Sequence, residues 1–146
     1  MSKPQPPRWL RPMNKLMIAM QRLGVQTGPA MVLTVPGRKS GKTRSTPMTP
    51  FDHDGATYTV AGYPGADWAA NARAAGVGTL TRGRKSRQVR IVTLSADESR
   101  PVLRAFAIKV PVGVRFAKRS GLVVDGTPDE FERLAGRLSV FRFDPV

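Results

Sequence analysis

The sequence predicts a small, mostly antiparallel sheet with three or four helices around it, an α+β or barrel architecture. Three observations carry that expectation. Short strand-like runs such as Met31–Val35 and Ala56–Val60 are separated by glycine- and proline-bearing turns. Amphipathic windows with their own start and stop signals are interspersed among them. No repeat period runs through the 146 residues, which is the length of one domain.

Residues 1–11 are proline-rich and basic and are expected to form a flexible arm, leaving residues 12–146 as a single domain. Pro12 opens a helix signal with Met13, Leu16, Met17, Met20 and Leu23 on one stripe and Gly24 as its stop. That stripe suits packing on the core. With Lys15 and Arg22 beside it, residues 12–24 equally suit peripheral contact with a membrane. Met31–Val35 reads as a buried strand. Residues 44–51 should follow as an edge or bent strand, because Pro47 and Pro50 cannot donate to a central ladder. Asp52–Gly55 turns the chain, with His53 solvated in the turn. Ala56, Tyr58 and Val60 alternate with Thr57 and Thr59, the pattern of a half-buried strand.

Beyond the break at Tyr63–Gly65, Asp67 is expected to cap a helix over 68–75 that Gly76 ends. Strands near 77–81 and 87–94 flank the basic turn Arg82–Lys85. A helix over 98–108 has its start confined by Pro101, and 111–121 shows no decisive pattern. Thr127-Pro-Asp-Glu130 is a capping box whose helical face continues through Phe131, Leu134 and Leu138. Val140–Phe143 closes the chain as a strand.

Charge is the dominant compositional feature: 24 basic residues stand against 10 acidic ones, a net charge of +14. Such a surplus points to polyanionic partners and says nothing about fold. The absence of cysteine excludes disulfides and thiolate chemistry, and a single histidine argues against a His metal cluster or a Ser-His-Asp triad. The acid pairs Asp52/Asp54, Asp97/Glu98 and Asp129/Glu130 each belong to a turn or a helix start, so hydrolysis by two carboxylates has no support. No apolar run reaches the roughly 18 residues of a membrane span. The N-terminus also lacks the apolar core of a signal peptide. A cytoplasmic protein, at most peripheral to the inner face of the membrane, is expected. Any hard chemistry should come from a cofactor that the protein binds and orients.

PGRKSGKTRSTP, residues 36–47, is the place to look for that cofactor. It is not a P-loop: only three residues separate Gly37 from Gly41, and Pro47 and Pro50 forbid a helix behind Lys42. Arg38, Lys39, Lys42 and Arg44 stand there without an acid, so the loop could clamp phosphate or carboxylate groups. Gly37 and Gly41 would let backbone N–H groups approach the same anion. A hydrogen bond to a charged group in a protected site contributes about 1.5–3 kcal/mol, so several could hold a ligand. The alternative is a solvated basic turn.

The loop at 37–47, the strand ending at 58–65 and Trp68 with Asn71 occur in that order. Together they resemble the deazaflavin-dependent nitroreductase family of split β-barrel flavin/deazaflavin oxidoreductases, over roughly residues 28–95. The resemblance implies a split β-barrel of mostly antiparallel strands, FMN-binding-like, with three to four flanking helices. It also implies coenzyme F420, an 8-hydroxy-5-deazaflavin with a phosphodiester and an oligoglutamate tail. By the match, Arg38, Lys39, Ser40 and Arg44 would hold phosphate and tail, with Lys42 as an added cation. Ser45, Thr46, Pro47, Met48 and Thr49 would run beside the ring. Ala61, Gly62 and Tyr63 would line its other approach, and Asp67, Trp68 and Asn71 would complete the pocket. The implied reaction is hydride transfer from the reduced deazaflavin to an electron-poor small molecule: an enone or unsaturated lactone, a quinone or a nitro compound. Tyr63 and Ser45 are the candidate proton donors. Phe106, Phe116, Phe141 and Phe143 are apolar candidates for the substrate wall.

Two other readings compete. FMN, haem or a lipid could occupy a related barrel; FMN, with one phosphate, would leave much of the loop's charge unused, and no histidine is placed to ligate haem iron. A non-enzymatic nucleic-acid-binding module is suggested by Arg82, Arg84, Lys85, Arg87 and Arg90. Few aromatics interleave with that cluster for base stacking, so no specific nucleic acid is expected. The chain is expected to work as a monomer or a homodimer.

Overall fold

A computed structural model of the chain describes residues 30–146. The expected arm of residues 1–11 and the helix and membrane contact expected of residues 12–24 lie outside the described residues. Seven strands form one sheet: β1 (Met31–Pro36), β2 (Thr43–Met48), β3 (Phe51–His53), β4 (Ala56–Val60), β5 (Val77–Arg82), β6 (Lys85–Thr93) and β7 (Val140–Pro145). Among the described residues four helices accompany it: α1 (Asp67–Ala75), α2 (Ala96–Lys109), α3 (Pro111–Arg119) and α4 (Pro128–Glu132). The strand order is β2-β1-β5-β6-β7-β4-β3, and every pairing is antiparallel.

That order forces the sheet to curl. β2 ends at Met48 and β3 begins at Phe51, yet the two strands are its opposite edges. Three Cα–Cα steps reach at most about 11 Å. A flat sheet of seven strands would be about 29 Å wide. Only a half-barrel brings the edges within reach of Thr49 and Pro50, and a split β-barrel is the result. The single strand expected over 44–51 is therefore two. Pro50 lacks the N–H a continuing ladder needs, and Pro47 is tolerated because β2 lies at an edge.

The β3–β4 hairpin turns on Asp54 and Gly55, with φ of 50° and 78°, the backbone of a two-residue turn matched to strand twist. His53, expected in a solvated turn, instead ends β3 with its side chain only 24 % exposed. β4 departs from simple alternation. Tyr58 and Val60 pack on the cluster beneath α2, but Thr59 is buried as well, opposite Phe141. Both faces of this strand are covered, so its polar positions do not mark a solvent side.

α1 is capped at Ala66 with no side-chain hydrogen bond, so Asp67 is not the cap; it occupies the first turn. Ala69 and Ala72, both buried, press this helix against the barrel interior. Gly76, at φ 72°, ends it with its N–H donated to the Ala72 carbonyl. α2 starts earlier than Pro101 suggested. Ser95 and Glu98 form a reciprocal capping box that opens it, and Pro101 lies inside the helix. α3 resolves the undecided stretch: Pro111 occupies its first turn, directly after the buried Val110.

Two apolar clusters result. Leu33, Val35, Leu80, Val89, Phe141 and Phe143 fill the barrel against α1. Phe51, Leu103, Phe106, Phe131 and Val140 lie between the sheet and the other helices. Phe106 and Phe131 meet edge-on at 5.3 Å.

The capping box at Thr127–Glu130 does more than start α4. The Glu130 carboxylate accepts from the N–H groups of Val124 (2.7 Å), Asp125 (2.8 Å), Gly126 (2.8 Å) and Thr127 (3.3 Å). These donors, Val124 foremost, favour the charged form and hold the carboxyl at about 2. A depressed carboxyl stabilises the fold at pH above the ordinary glutamate value, and that contribution fades as pH falls towards about 2. Glu130→Gln is therefore expected to lower Tm at pH 7, with the gap to wild type closing between roughly pH 4.5 and 2. Thermal melts across that range check it, and a gap independent of pH would show that the charge is not what matters.

Candidate functional site

The loop between β1 and β2 is held by its own backbone. The Gly37 N–H donates to the Lys42 carbonyl at 2.8 Å and the Gly41 N–H to the Gly37 carbonyl at 2.9 Å. Gly41 takes φ 71°, where a side chain would be strained. These two N–H groups are consumed by the turn and so are not themselves available to an anion. A strand follows the loop, which removes any P-loop geometry.

Arg38 is tied to α1. Its backbone N–H and its Nη1 donate to Asn71 Oδ1 at 3.1 and 2.7 Å, and Nη1 also reaches the Asp67 carbonyl at 3.4 Å. Nη2 lies 3.5 Å from the Asp67 carboxylate. Asn71 is 8 % exposed, so its carboxamide acts as a buried peg fixing the loop to the helix. A guanidinium has five N–H donors, and the tie leaves part of that fork for a ligand.

A groove of about 730 Å³ opens beside this tie, lined by Arg38, Lys39, Ser40, Arg44, Ser45, Thr46, Asp67, Trp68 and Asn71. Lys42 is not among the lining residues; its N–H bonds to Ser40 Oγ. Three cations against the single acid Asp67 give the groove a net positive lining.

A second cavity of about 210 Å³ adjoins it. Thr46, Pro47, Met48 and Thr49 form one wall, Ala61, Gly62 and Tyr63 another. Helices close the rest with Phe106 from α2, Val112, Gly113 and Phe116 from α3, and Phe131 from α4. Thr46 and Trp68 line both groove and cavity, so the two are neighbours. Trp68 is fixed there by its ring contact with Phe141 at 5.7 Å. Gly62 matters by its missing side chain: a Cβ would lie 3.2 Å from the Phe116 ring. A Cβ at Gly113 would fall onto Phe106.

Of the four phenylalanines expected at a substrate wall, Phe106 and Phe116 line the cavity. Phe141 and Phe143 do not; they are buried in the barrel core. Ser45 is in the groove rather than the cavity, with its Oγ 3.0 Å from Thr34 Oγ. Tyr63 is in the cavity. Beyond Phe116, the α3 residues Val112 and Gly113 and the α4 residue Phe131 were missed in the sequence. Pro111 after an apolar residue, the first-helical-position signal already read at Pro128, would have revealed α3. Among the described residues no group of His, Asp and Glu could hold a metal ion. No helix among them is long and apolar enough to cross a membrane.

The donor set, basic and hydroxylic at one end and apolar at the other, fits a ligand with an acidic arm and a flat ring. The sequence pattern of the F420H(2)-dependent quinone reductase family matches residues 15–123. The chain belongs to that family. It is an F420H2-dependent reductase, in keeping with the deazaflavin resemblance read from the loop and Trp68.

Solved structures similar to this family member include two with TM-scores above 0.5, which share its fold. One described as a domain-swapped dimer has a TM-score of 0.52 at 20% identity, covering 93% of this chain and 97% of its own. The protein Atu2129 from Agrobacterium tumefaciens, described as of unknown function, has a TM-score of 0.53 at 16% identity. It covers 98% of this chain, which spans 58% of Atu2129. A structure described as F420-H2 dependent reductase FDR-A has a TM-score of 0.48 at 20% identity, covering 80% of this chain and 95% of its own. No curated protein matches the chain.

Proposed function

We propose that this reductase carries out the two-electron reduction of a flat, apolar acceptor of the quinone class, with coenzyme F420 held between groove and cavity. The observation that supports it is the adjacency of the basic groove and the apolar cavity, which share Thr46 and Trp68 as lining. Lys39, Ser40, Arg44 and the free part of the Arg38 fork bind phosphate and glutamate groups, and Asn71 keeps Arg38 in position. Asp67 opposes an anion, and its exposed carboxylate offsets part of the cationic field. Thr46 to Thr49 on one side and Ala61 to Tyr63 on the other orient the ring and the acceptor. The phenylalanines and Val112 exclude water, which favours a close, ordered encounter of the reactants. When bound, the reduced coenzyme supplies a hydride. Tyr63 supplies the proton that completes the hydroquinone, because it is among the residues lining the cavity and Ser45 is not.

Titrating the protein with oxidised F420 and with FMN, followed by fluorescence, tests the coenzyme. Tight F420 binding with weak FMN binding is expected, and the reverse preference would replace the coenzyme. Tyr63→Phe is expected to lower kcat for a quinone by about 10²–10⁴-fold with F420 affinity unchanged. Unaltered turnover would assign the proton to solvent.

A further inference from the structure

The groove beside α1 has a counterpart on another face of the same helix. A further basic cavity, of about 540 Å³, shares no lining residue with that groove. Asp67, Trp68 and Asn71 face the groove, whereas Ala69, Ala70 and Arg73, grouped on a different face, line this cavity. Ala96 and Ser99, from the first turn of α2, form a second wall. The segment before β7 supplies a third with Arg137, Leu138 and Ser139. The volume is in the range of small-molecule sites.

Two cations line this cavity and no Asp or Glu does. Arg73 donates from Nη2 to Ser139 Oγ at 2.7 Å, which fixes one corner of its fork and leaves other N–H groups for a ligand. The Arg137 side chain makes no hydrogen bond or ion pair among the described residues. Both arginines are exposed, so a solute can reach them. The acids in the first turn of α2 are engaged elsewhere: Asp97 pairs with Arg100 at 3.1 Å, and Glu98 accepts from the Ser95 N–H at 2.9 Å. The positive end of the α2 dipole adds to the field of the two arginines.

The donors select among anions. A carboxylate is planar and suits a single guanidinium fork. A phosphoryl group presents three acceptor oxygens around a tetrahedral centre, so it can meet forks that arrive from two elements, here α1 and the segment before β7. Ala69, Ala70 and Leu138 give the same cavity an apolar wall against which a small organic body can pack.

We propose that this cavity binds the phosphoryl group of a small phosphorylated metabolite between Arg73 and Arg137, with the body of the molecule against Ala69, Ala70 and Leu138. The site is separate from the groove and does not depend on which coenzyme the groove takes.

Inorganic phosphate is the probe, followed by its 31P NMR signal as the full chain is titrated at constant ionic strength. Saturating F420 fills the groove, so that phosphate reports the second cavity alone. Wild type is expected to bind phosphate under these conditions. Arg137→Ala, which breaks no contact within the protein, is expected to weaken phosphate binding by about 10–100-fold while Tm and F420 affinity stay close to wild type. Arg73→Lys keeps the charge and loses the fork, and should also weaken binding. Arg84→Ala with Arg87→Ala, on the β5–β6 hairpin, should bind phosphate within a few-fold of wild type. Acetate at the same concentration should not displace phosphate.

Absence of phosphate binding to wild type with the groove filled overturns the proposal, as does unchanged affinity in Arg137→Ala. An equal loss in the hairpin variant overturns it too, since only general cation attraction would remain. Displacement by acetate at equal concentration would overturn the phosphoryl assignment. If F420 does not bind, Lys39→Glu with Arg44→Glu removes the groove's attraction for phosphate instead, and the same comparisons decide the second cavity while the coenzyme reading falls by itself.

Discussion

Replacing Lys39 and Arg44 together by glutamate is expected to weaken F420 binding by about 10²–10⁴-fold, with Tm nearly unchanged. Each side chain lines the groove and would make a charge-assisted hydrogen bond to an acidic ligand. Such bonds contribute about 1.5–3 kcal/mol apiece, so losing two costs about 3–6 kcal/mol. Reversing the sign adds repulsion rather than only removing attraction. Arg38 is left untouched because it carries a second duty: its tie to Asn71 and Asp67 holds the loop on α1. A change at Arg38 would mix lost ligand contacts with a displaced loop. Fluorescence titration of the double variant gives the result directly. Affinity within a few-fold of wild type would remove the loop from the coenzyme site.

Phe131→Ala is expected to destabilise the fold by about 3–5 kcal/mol, lowering Tm by about 10–20 °C. Phe131 is fully buried and meets the Phe106 ring edge-on, and both also line the cavity. Removing it empties space in the cluster that holds α2 and α4 together and lets Phe106 move. The acceptor's KM is expected to rise in the same variant. F420 affinity should change little, because the groove belongs to the β1–β2 loop, β2 and α1. Thermal melts and a coenzyme titration on one preparation separate the two effects. A loss of coenzyme affinity as large as the loss in stability would show that groove and cavity are not independent.

The parts of the site readable beforehand are those whose signal is local. The loop at 36–47 declared itself by charge and by glycines, and Trp68 and Asn71 by their spacing on one short helix. The hairpin at Asp54–Gly55 and the Thr127–Glu130 box were legible for the same reason, since a turn or a cap is decided within four residues. Asp67 misled because a cap is a backbone position, and the chain gave that position to Ala66. Thr59 misled because alternation reports a solvent face only where a strand has one.

What the sequence determined by itself, then, is a set of short-range commitments: antiparallel strands, their turns, the helix ends, and a cationic loop without a helix behind it. Tertiary structure alone decided that β2 and β3 sit at opposite edges, that Phe116 closes over Gly62, and that Lys42 lies outside the groove. Those outcomes depend on residues far apart in the chain meeting across a curled sheet. Hydrophobic burial drives such meetings without being directional, so which apolar faces meet is set by the closure of the whole barrel and by no local pattern.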